Sequence, residues 1–433
     1  RGEFIARILA LMGYDAFAAG NHDFDYGLAR LMDLANRYRL SFIAANITGR
    51  EDGALILPPY VVRDFGGLKV GVFGLTTPET AYKTAPANVA AVDFGTPETL
   101  AATAREMTRM LREKEKADLV VALTHVGADP GGRPDSAFLA RAAPGLDLVV
   151  DGHSHLAQPG LRVGRTLIVS AGAFLENVGR VEVRRGPRGR LELTSGLVSA
   201  AELENTTPDP AVAAEVARVA AELEPALKAV VARTPFFFNG DREEARRDST
   251  NLGRLVCAAM MKYTGAEAAL INSGSLRGSL PAGEVTLGQV LSALPFGNYA
   301  LTVRLSGRDL RTILNSTLAR PGRGAFPQFY GLTVTVREVP PLGSIPAGPR
   351  YRVEAVEIGG RPLVPEAEYL VAVNDFMLAG GDQYGIPAEN NRGRIREFGS
   401  VEEMLRRFLA EDAPEDMVAI DRDDNLTIIA EEK

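Results

Sequence analysis

Cysteine is nearly absent from this chain: a single residue, Cys257, among 433. Intrachain disulfides and thiolate zinc clusters are therefore excluded, because each needs more than one sulfur. Cys257 lies in the apolar helical stretch Leu252 to Met260, where a thiol serves as a small packing group. No run of 18 or more apolar residues occurs, so no transmembrane helix is encoded. Positive charge is in deficit, with 48 Lys and Arg against 55 Asp and Glu. The formal charge of −7 excludes a protein that coats nucleic acid, which needs a basic surface, while local arginines still allow small anionic substrates. Histidine is scarce and confined: His22, His125, His153 and His155 are the only four, and none follows residue 155.

At this length two domains are expected, since single cores rarely grow past about 250–300 residues. Forty-six per cent hydrophobic residues supply ample core material. Arg1-Gly2-Glu3 opens the chain without a methionine, and Phe4 to Gly13 reads as an amphipathic helix stopped by glycine, so the start resembles a domain interior. Residues 1 to about 200 alternate strand and helix patterns, with a helix expected over Thr96 to Lys116 and half-exposed strands at Gly179 to Arg185 and Arg190 to Leu193. Asn205 to Pro208 then lead into an alanine- and glutamate-rich helix expected to run from Asp209-Pro210 to about Ala232 and to join two domains. Strands and helices resume after it, including Val285 to Gln289, which opens a helix with a capping box.

Each histidine sits where a short apolar run ends. Asp15 to Ala19 runs into Gly20-Asn21-His22-Asp23-Phe24-Asp25, Asp118 to Leu123 into Thr124-His125-Val126-Gly127, and Leu146 to Val150 into Asp151-Gly152-His153-Ser154-His155. Such runs read as buried strands whose C-terminal ends deliver site residues, as α/β layers do. Asn21 offers a neutral oxygen ligand for a cation, and Asp25 is placed to accept a ring N–H from His22 and fix its tautomer. The same residues would also suit a turn with a capping asparagine and a surface histidine. His153 and His155, one residue apart, would point to the same side of an extended backbone.

These motifs, Gly20 to Gly27, Thr124 to Gly127 and Gly152 to His155 in this order, resemble the calcineurin-like metallophosphoesterase domain of the 5′-nucleotidases, and the second half resembles that family's C-terminal domain, as in bacterial UDP-sugar hydrolase/5′-nucleotidase members. The resemblance implies a four-layer α/β/β/α domain over residues 1–207, a linker helix over 208–232 and a smaller α/β nucleotide-recognition domain over 233–433. It implies two divalent metal ions of Zn, Mn, Co or Fe type, with Asn21, His125 and His153 as ligands of one site and His155 of the other. His22 and Asp25 match a catalytic dyad, the histidine stabilising charge on the transferred phosphoryl group.

The family's Asp-x-His pair and bridging Gly-Asp are expected before Gly20 and do not occur in Arg1 to Ala19, which implies that first strands are missing from this chain and leave the site holding His155 incomplete. In the second half, Arg242, Arg246 and Arg277 match positions that hold anionic groups of the substrate, with Asn272 nearby. Phe296 and Phe376 match a nucleobase clamp, and Asn298 and Asp382 match groups that bond base or ribose. The implied activity is hydrolysis of nucleoside 5′-monophosphates by metal-activated water, with UDP-sugars or other nucleotides as further candidate substrates, outside the cytoplasm, in the periplasm or at the cell surface. A hinge over residues 205–235 is expected to carry substrate to the metals. The alternatives are a 2′,3′-cyclic-nucleotide phosphodiesterase of the same fold, a thiosulfohydrolase of the same superfamily, and a nucleotide-binding protein with an incomplete metal site.

Overall fold

A computed structural model of the chain describes residues 2–84, 86–128, 135–186, 189–339, 350–387, 395–411 and 414–430. They form two compact units, Arg1–Val219 and Ala220–Lys433, with the division inside the helix Pro210–Leu227.

The first unit is built on a sheet whose order, among the described residues, is Tyr60–Asp64, Lys69–Thr76, Leu119–His125, Leu148–Val150, Thr166–Ala171 and Ala157–Val163. The four inner strands are parallel and the two edge strands antiparallel to them. Strand alternation sorts the side chains by face. Val120, Ala122, Val149 and Ile168 pack against Leu100, Ala104 and Leu111 of the helix Pro97–Glu113 and against Leu139 of the helix Ser136–Ala142. Leu119, Val121, Leu148, Leu167 and Val169 pack on the other face against Val181, Val183, Leu191 and Leu193 of the hairpin Asn177–Arg185/Leu191–Ser199. Both faces are thus covered, which is why the inner strands read as continuous apolar runs.

A second, short parallel pair, Phe17–Ala18 with Phe42–Ile43, lies with the helix Leu28–Tyr38 over its own core of Phe24, Leu31, Ile47 and Phe94. Asp15 precedes that strand rather than lying in it and pairs with Arg63 at 3.1 Å. The helix Glu3–Met12 ends at Gly13, whose φ of +67° is the left-handed stop expected of that glycine. The helix expected over Thr96 to Lys116 starts with Thr96 as its cap and stops at Glu113; Ala117 N–H bonds back to Leu111, and Lys116 takes φ +57° to make that turn.

In the second unit the described residues form a five-stranded sheet that runs Pro327–Tyr330, Ala268–Asn272, Glu368–Asn374, Tyr299–Ser306 and Arg396–Ser400. Ala269, Ile271 and Ala372 face the buried helix Asn251–Thr264, whereas Ala268, Leu270, Val371 and Val373 face a core shared with the helix Gly307–Leu318 and a four-stranded sheet. Cys257 is fully buried in the first of these cores, and burial pushes its thiol pKa up, as suits inert packing. Thr286 and Gln289 form the capping box read from the sequence.

The linker helix is also shorter than expected. The helix placed over 208–232 ends at Leu227, and Val230–Thr234 is a strand paired with Gly283–Thr286. The β-branched Val230-Val231 pair favours extended backbone, and Leu287 N–H bonding Ala229 O at 2.9 Å holds it there.

The six-stranded sheet and the Phe17–Ala18/Phe42–Ile43 pair meet at Gly74, where an added Cβ would lie 2.1 Å from the carbonyl oxygen of Ile43. Backbone cannot yield there as a flexible side chain would. Gly74→Ala is expected to lower stability by about 1–3 kcal/mol, read as a reduced urea midpoint; an unchanged midpoint would show that the sheets separate freely.

Candidate active site

Parallel strands end on one side, so the residues that follow them share an edge of the sheet. His125 is the last residue of its strand, in register with Thr76 of the next. His153 follows Leu148–Val150, and Asn21 follows Phe17–Ala18. The three side chains converge: His125 Nε2 lies 2.9 Å from Asn21 Oδ1, His153 Nδ1 lies 3.2 Å from the same oxygen, and the two imidazole nitrogens are 3.3 Å apart. Donors bound at about 2.0–2.1 Å to one cation sit about 3.0–3.4 Å from each other, so this spacing suits a shared ion. His153 Nε2 lies 3.4 Å from Glu79 Oε2. In the tautomer that donates Nε2–H to that carboxylate, Nδ1 carries a lone pair facing the Asn21 oxygen. Two acceptors then confront each other, an arrangement that a cation resolves.

Asn21–Phe24 forms a 3₁₀ turn, in which side chains three residues apart eclipse. His22 Nδ1 and Asp25 Oδ2 are thereby 2.9 Å apart. Gly20 N–H donates to Asp23 at 2.7 Å, and Phe24 is fully buried edge-on against Phe94. Gly20 is needed for space: a Cβ there would lie 2.9 Å from the His125 ring.

The extended Gly152-His153-Ser154-His155 segment expected from spacing is not what forms. His153 and His155 have φ of +74° and +62°, and Ser154 N–H bonds Gly152 O at 3.0 Å, so the segment is a tight turn. Left-handed backbone costs non-glycine residues about 1–2 kcal/mol each, and the two rings consequently diverge. His153 meets Asn21 and His125, whereas His155 lies edge-on to Phe174, with centroids 5.8 Å apart. Among the described residues no three His, Cys, Asp or Glu side chains close on one point; the third donor beside His125 and His153 is the amide of Asn21.

Two carboxylates that sequence reasoning passed over organise this edge. Asp151, 9% exposed, accepts from the Thr124 hydroxyl at 2.7 Å, from Val126 N–H at 3.0 Å and from the Ser136 hydroxyl. Glu79 contacts His153; burial pushes its carboxyl pKa up, but His153, Lys83 and Tyr82 together outweigh that and bring it down to about 2. Asp151 adjoins the Gly-His-Ser-His motif and was legible as a polar residue closing an apolar strand. Glu79, in Thr76-Thr77-Pro78-Glu79-Thr80, carried no such signal.

In the second unit Asn272 and Asn374 end two parallel strands and are buried. Asn272 donates to Asp382 Oδ2 at 2.8 Å and accepts from Ser275 at 2.5 Å and from Asn374 at 3.1 Å. Asp382, 4% exposed, has φ +51°. A small cleft beside them is lined by Ser275, Phe296, Asn298 and Asn374. The Arg277 guanidinium stacks 4.9 Å over the Phe296 ring, and its Nε donates to Gly274 O. Phe376 lies against Gly381, so closely that a Cβ there would meet the ring at 2.5 Å. Arg242 opens and Arg246 follows the short helix Arg242–Ala245, which packs against the Ser273–Ser275 turn. Asn272, Asp382, Arg277, Phe296 and Asn298 are therefore grouped, with Arg242 and Arg246 on an adjoining element and Phe376 on the loop that carries Asp382.

Residues 227–389 match the family model of the 5′-nucleotidase C-terminal domain, and residues 3–178 match that of the bacterial capsule synthesis protein PGA_cap, a different description from the one its motifs suggest. The 5′-nucleotidase of Vibrio cholerae serotype O1 is 31% identical over 94% of this chain and 78% of its own length. Protein UshA of Escherichia coli K12 is 27% identical over 95% of this chain and 80% of its own. The crystal structure of the 5′-nucleotidase precursor from Thermus thermophilus superimposes with a TM-score of 0.82 at 27% identity, covering 100% of this chain and 87% of that one.

Burial, reinforced by the imidazoles of His153, His22 and His155, lowers the His125 pKa from 6.5 to about 3. The folded protein therefore refuses a proton that the unfolded chain takes up below pH 6.5. This contribution to stability is complete above pH 6.5 and is lost as pH falls toward 3, by up to about 1.4 kcal/mol per pH unit. Chelator-treated protein should lose urea stability between pH 6.5 and 4, and His125→Gln should flatten that decline. An equally steep decline in the variant would remove His125 as its source.

Proposed function

The chain belongs to the 5′-nucleotidase family and is a hydrolase of nucleotide phosphoesters, and we propose that its substrates are nucleoside 5′-monophosphates, cleaved to nucleoside and phosphate. The observation that carries this reading is the convergence of Asn21, His125 and His153 within 3.3 Å, together with the His22–Asp25 pair on the same turn as Asn21.

In this reading Asn21 Oδ1, His125 Nε2 and His153 Nδ1 hold a divalent cation, His155 belongs to a second site, and N/O ligation admits Zn, Mn, Fe or Co. Bound divalent cations supply a water of lowered pKa and neutralise phosphoryl oxygens. The chain's own residues do the rest. His125, held neutral by burial, keeps its nitrogen lone pair available. Asp25 accepts the Nδ1 hydrogen of His22 and turns Nε2 outward; in the doubly protonated ring, Nε2–H donates to the transferred phosphoryl group as charge accumulates. Residues 1–207 thus supply the chemistry and 233–433 the recognition. Arg242, Arg246 and Arg277 bind anionic groups, Phe296 and Phe376 take the base, and Asn298 and Asp382 bond base or ribose. Export to the periplasm or cell surface belongs to the same family reading; among the described residues no helix is long and apolar enough to cross a membrane.

Phosphate release from AMP by the full-length protein is expected, abolished by EDTA and restored by divalent metal. Tight AMP binding without metal-dependent release would overturn the enzymatic reading, and faster turnover of 2′,3′-cyclic AMP would reassign the substrate. His22→Ala should lower kcat by about 10²–10⁴-fold with metal content retained; loss of metal instead would make His22 a ligand.

Phe296→Ala should raise KM for AMP by about 10–100-fold, as loss of one stacked base implies. Hydrolysis of p-nitrophenyl phosphate, which has no base, should be unaffected. Equal losses on both substrates would remove Phe296 from base recognition.

A further inference from the structure

The segment that follows the strand Lys69–Thr76 touches every loop that brings a donor to the cluster. The Thr76 hydroxyl donates to Ala19 O at 2.6 Å, just ahead of Asn21. Thr77 N–H donates to the carbonyl of His125 at 3.0 Å. The Thr84 hydroxyl donates to Asn21 O at 2.6 Å. Between them Glu79 reaches His153 Nε2. Thr76, Thr77, Thr80 and Thr84 are all buried, and a buried hydroxyl is costly unless paired. Their partners are backbone groups of the donor loops or of the segment itself: Thr80 donates to Thr77 O at 2.8 Å, and Glu79 N–H is held by the Thr77 hydroxyl at 3.3 Å. Glu79 is therefore fixed at its backbone and aimed by a short helix, Thr80–Lys83, rather than waving from a loop.

From this placement we propose that Glu79 is a positioning residue for the cluster. Its carboxylate takes the Nε2 hydrogen of His153, so that in the neutral ring Nδ1 presents a lone pair to the point that Asn21 Oδ1 and His125 Nε2 also face. A carboxylate has acceptors only, so the direction of that hydrogen bond is fixed by chemistry. Carboxylates that back a ligand imidazole in this way orient the ring and raise its basicity. The inference rests on the reading that this cluster holds a cation, but the tautomer itself is a property of the metal-free chain.

The test uses metal-free protein with ¹⁵N-labelled histidine. Long-range ¹H–¹⁵N spectra should show His153 as the Nε2–H tautomer in the unsubstituted protein and in Glu79→Gln, which keeps an acceptor oxygen. Glu79→Ala should show mixed tautomers and bind Co²⁺, followed by its visible absorption, about 10–100-fold more weakly. Lys83→Ala, which removes only the neighbouring charge, should change neither readout. If Glu79→Ala fails to fold, Glu79→Asp, which keeps the charge but shortens the reach, should reproduce both effects. An unchanged tautomer and unchanged Co²⁺ affinity in the folded variant would overturn the proposal. Co²⁺-loaded protein that shows the expected tautomer yet releases no phosphate from AMP would leave this inference standing and defeat the hydrolase reading instead.

Discussion

The geometry of the histidine edge depends on one buried carboxylate. Asp151 draws Thr124 and Val126, either side of His125, and Ser136 at the start of the next helix onto the residue that begins the Gly-His-Ser-His turn. Adjacent parallel strands fix where loops begin but not where they go. Without those donors the carboxylate would be desolvated and unpaired, which costs several kcal/mol. With them, the loops bearing His125 and His153 are bound to a common point and cannot drift independently.

That constraint explains why the protein tolerates strain beside it. A left-handed His153 and His155 are unfavourable locally, yet the turn they make is what sends one imidazole toward Asn21 and the other toward Phe174. Glycines supply the complementary vacancies. Gly20 and Gly152 leave room for the His125 ring, and Gly127, at φ +87°, takes a backbone conformation that side chains rarely adopt. Strain accepted in a few residues and held by a surrounding network is the usual signature of a functional edge rather than of a stabilising core.

Most of this was legible where chemistry is local. Apolar runs ending in small polar motifs correctly marked Leu119–His125 and Leu148–Val150 as buried strands, because both faces of the sheet are covered. The capping box at Thr286 and the glycine stop at Gly13 were equally readable, since each is satisfied within a single turn. What could not be read was set by distant partners. Glu79 gains its role only because Lys69–Thr76 pairs with Leu119–His125, and nothing in Thr-Thr-Pro-Glu-Thr records that pairing. The extended Gly152 to His155 segment failed for the same reason, as did the last residues of the long helix, where a strand partner at Gly283–Thr286 outweighs helical periodicity. In the second unit the family resemblance marked Asn272, Phe296 and Asp382 as substrate-binding positions, but not that Asn272 and Asp382 bond each other in a buried network with Ser275 and Asn374.

The placement of negative charge follows a consistent rule. The three ligand groups that converge carry no negative charge: an amide and two imidazoles, that of His125 kept unprotonated by burial and by its neighbours. Each nearby carboxylate stands one group back, Glu79 behind His153, Asp25 behind His22, and Asp151 behind hydroxyls and a backbone amide. A phosphate monoester arrives with up to two negative charges, and a carboxylate at the contact point would repel it at short range in a poorly solvated pocket. Holding the carboxylates behind hydrogen-bonded intermediaries orients the imidazoles without presenting bare negative charge to an anion. The same separation recurs in the second unit, where Asp382 faces Asn272 and the Arg277 guanidinium lies over Phe296 at the cleft. In each unit taken by itself, neutral or positive groups stand forward and the acids stand behind them.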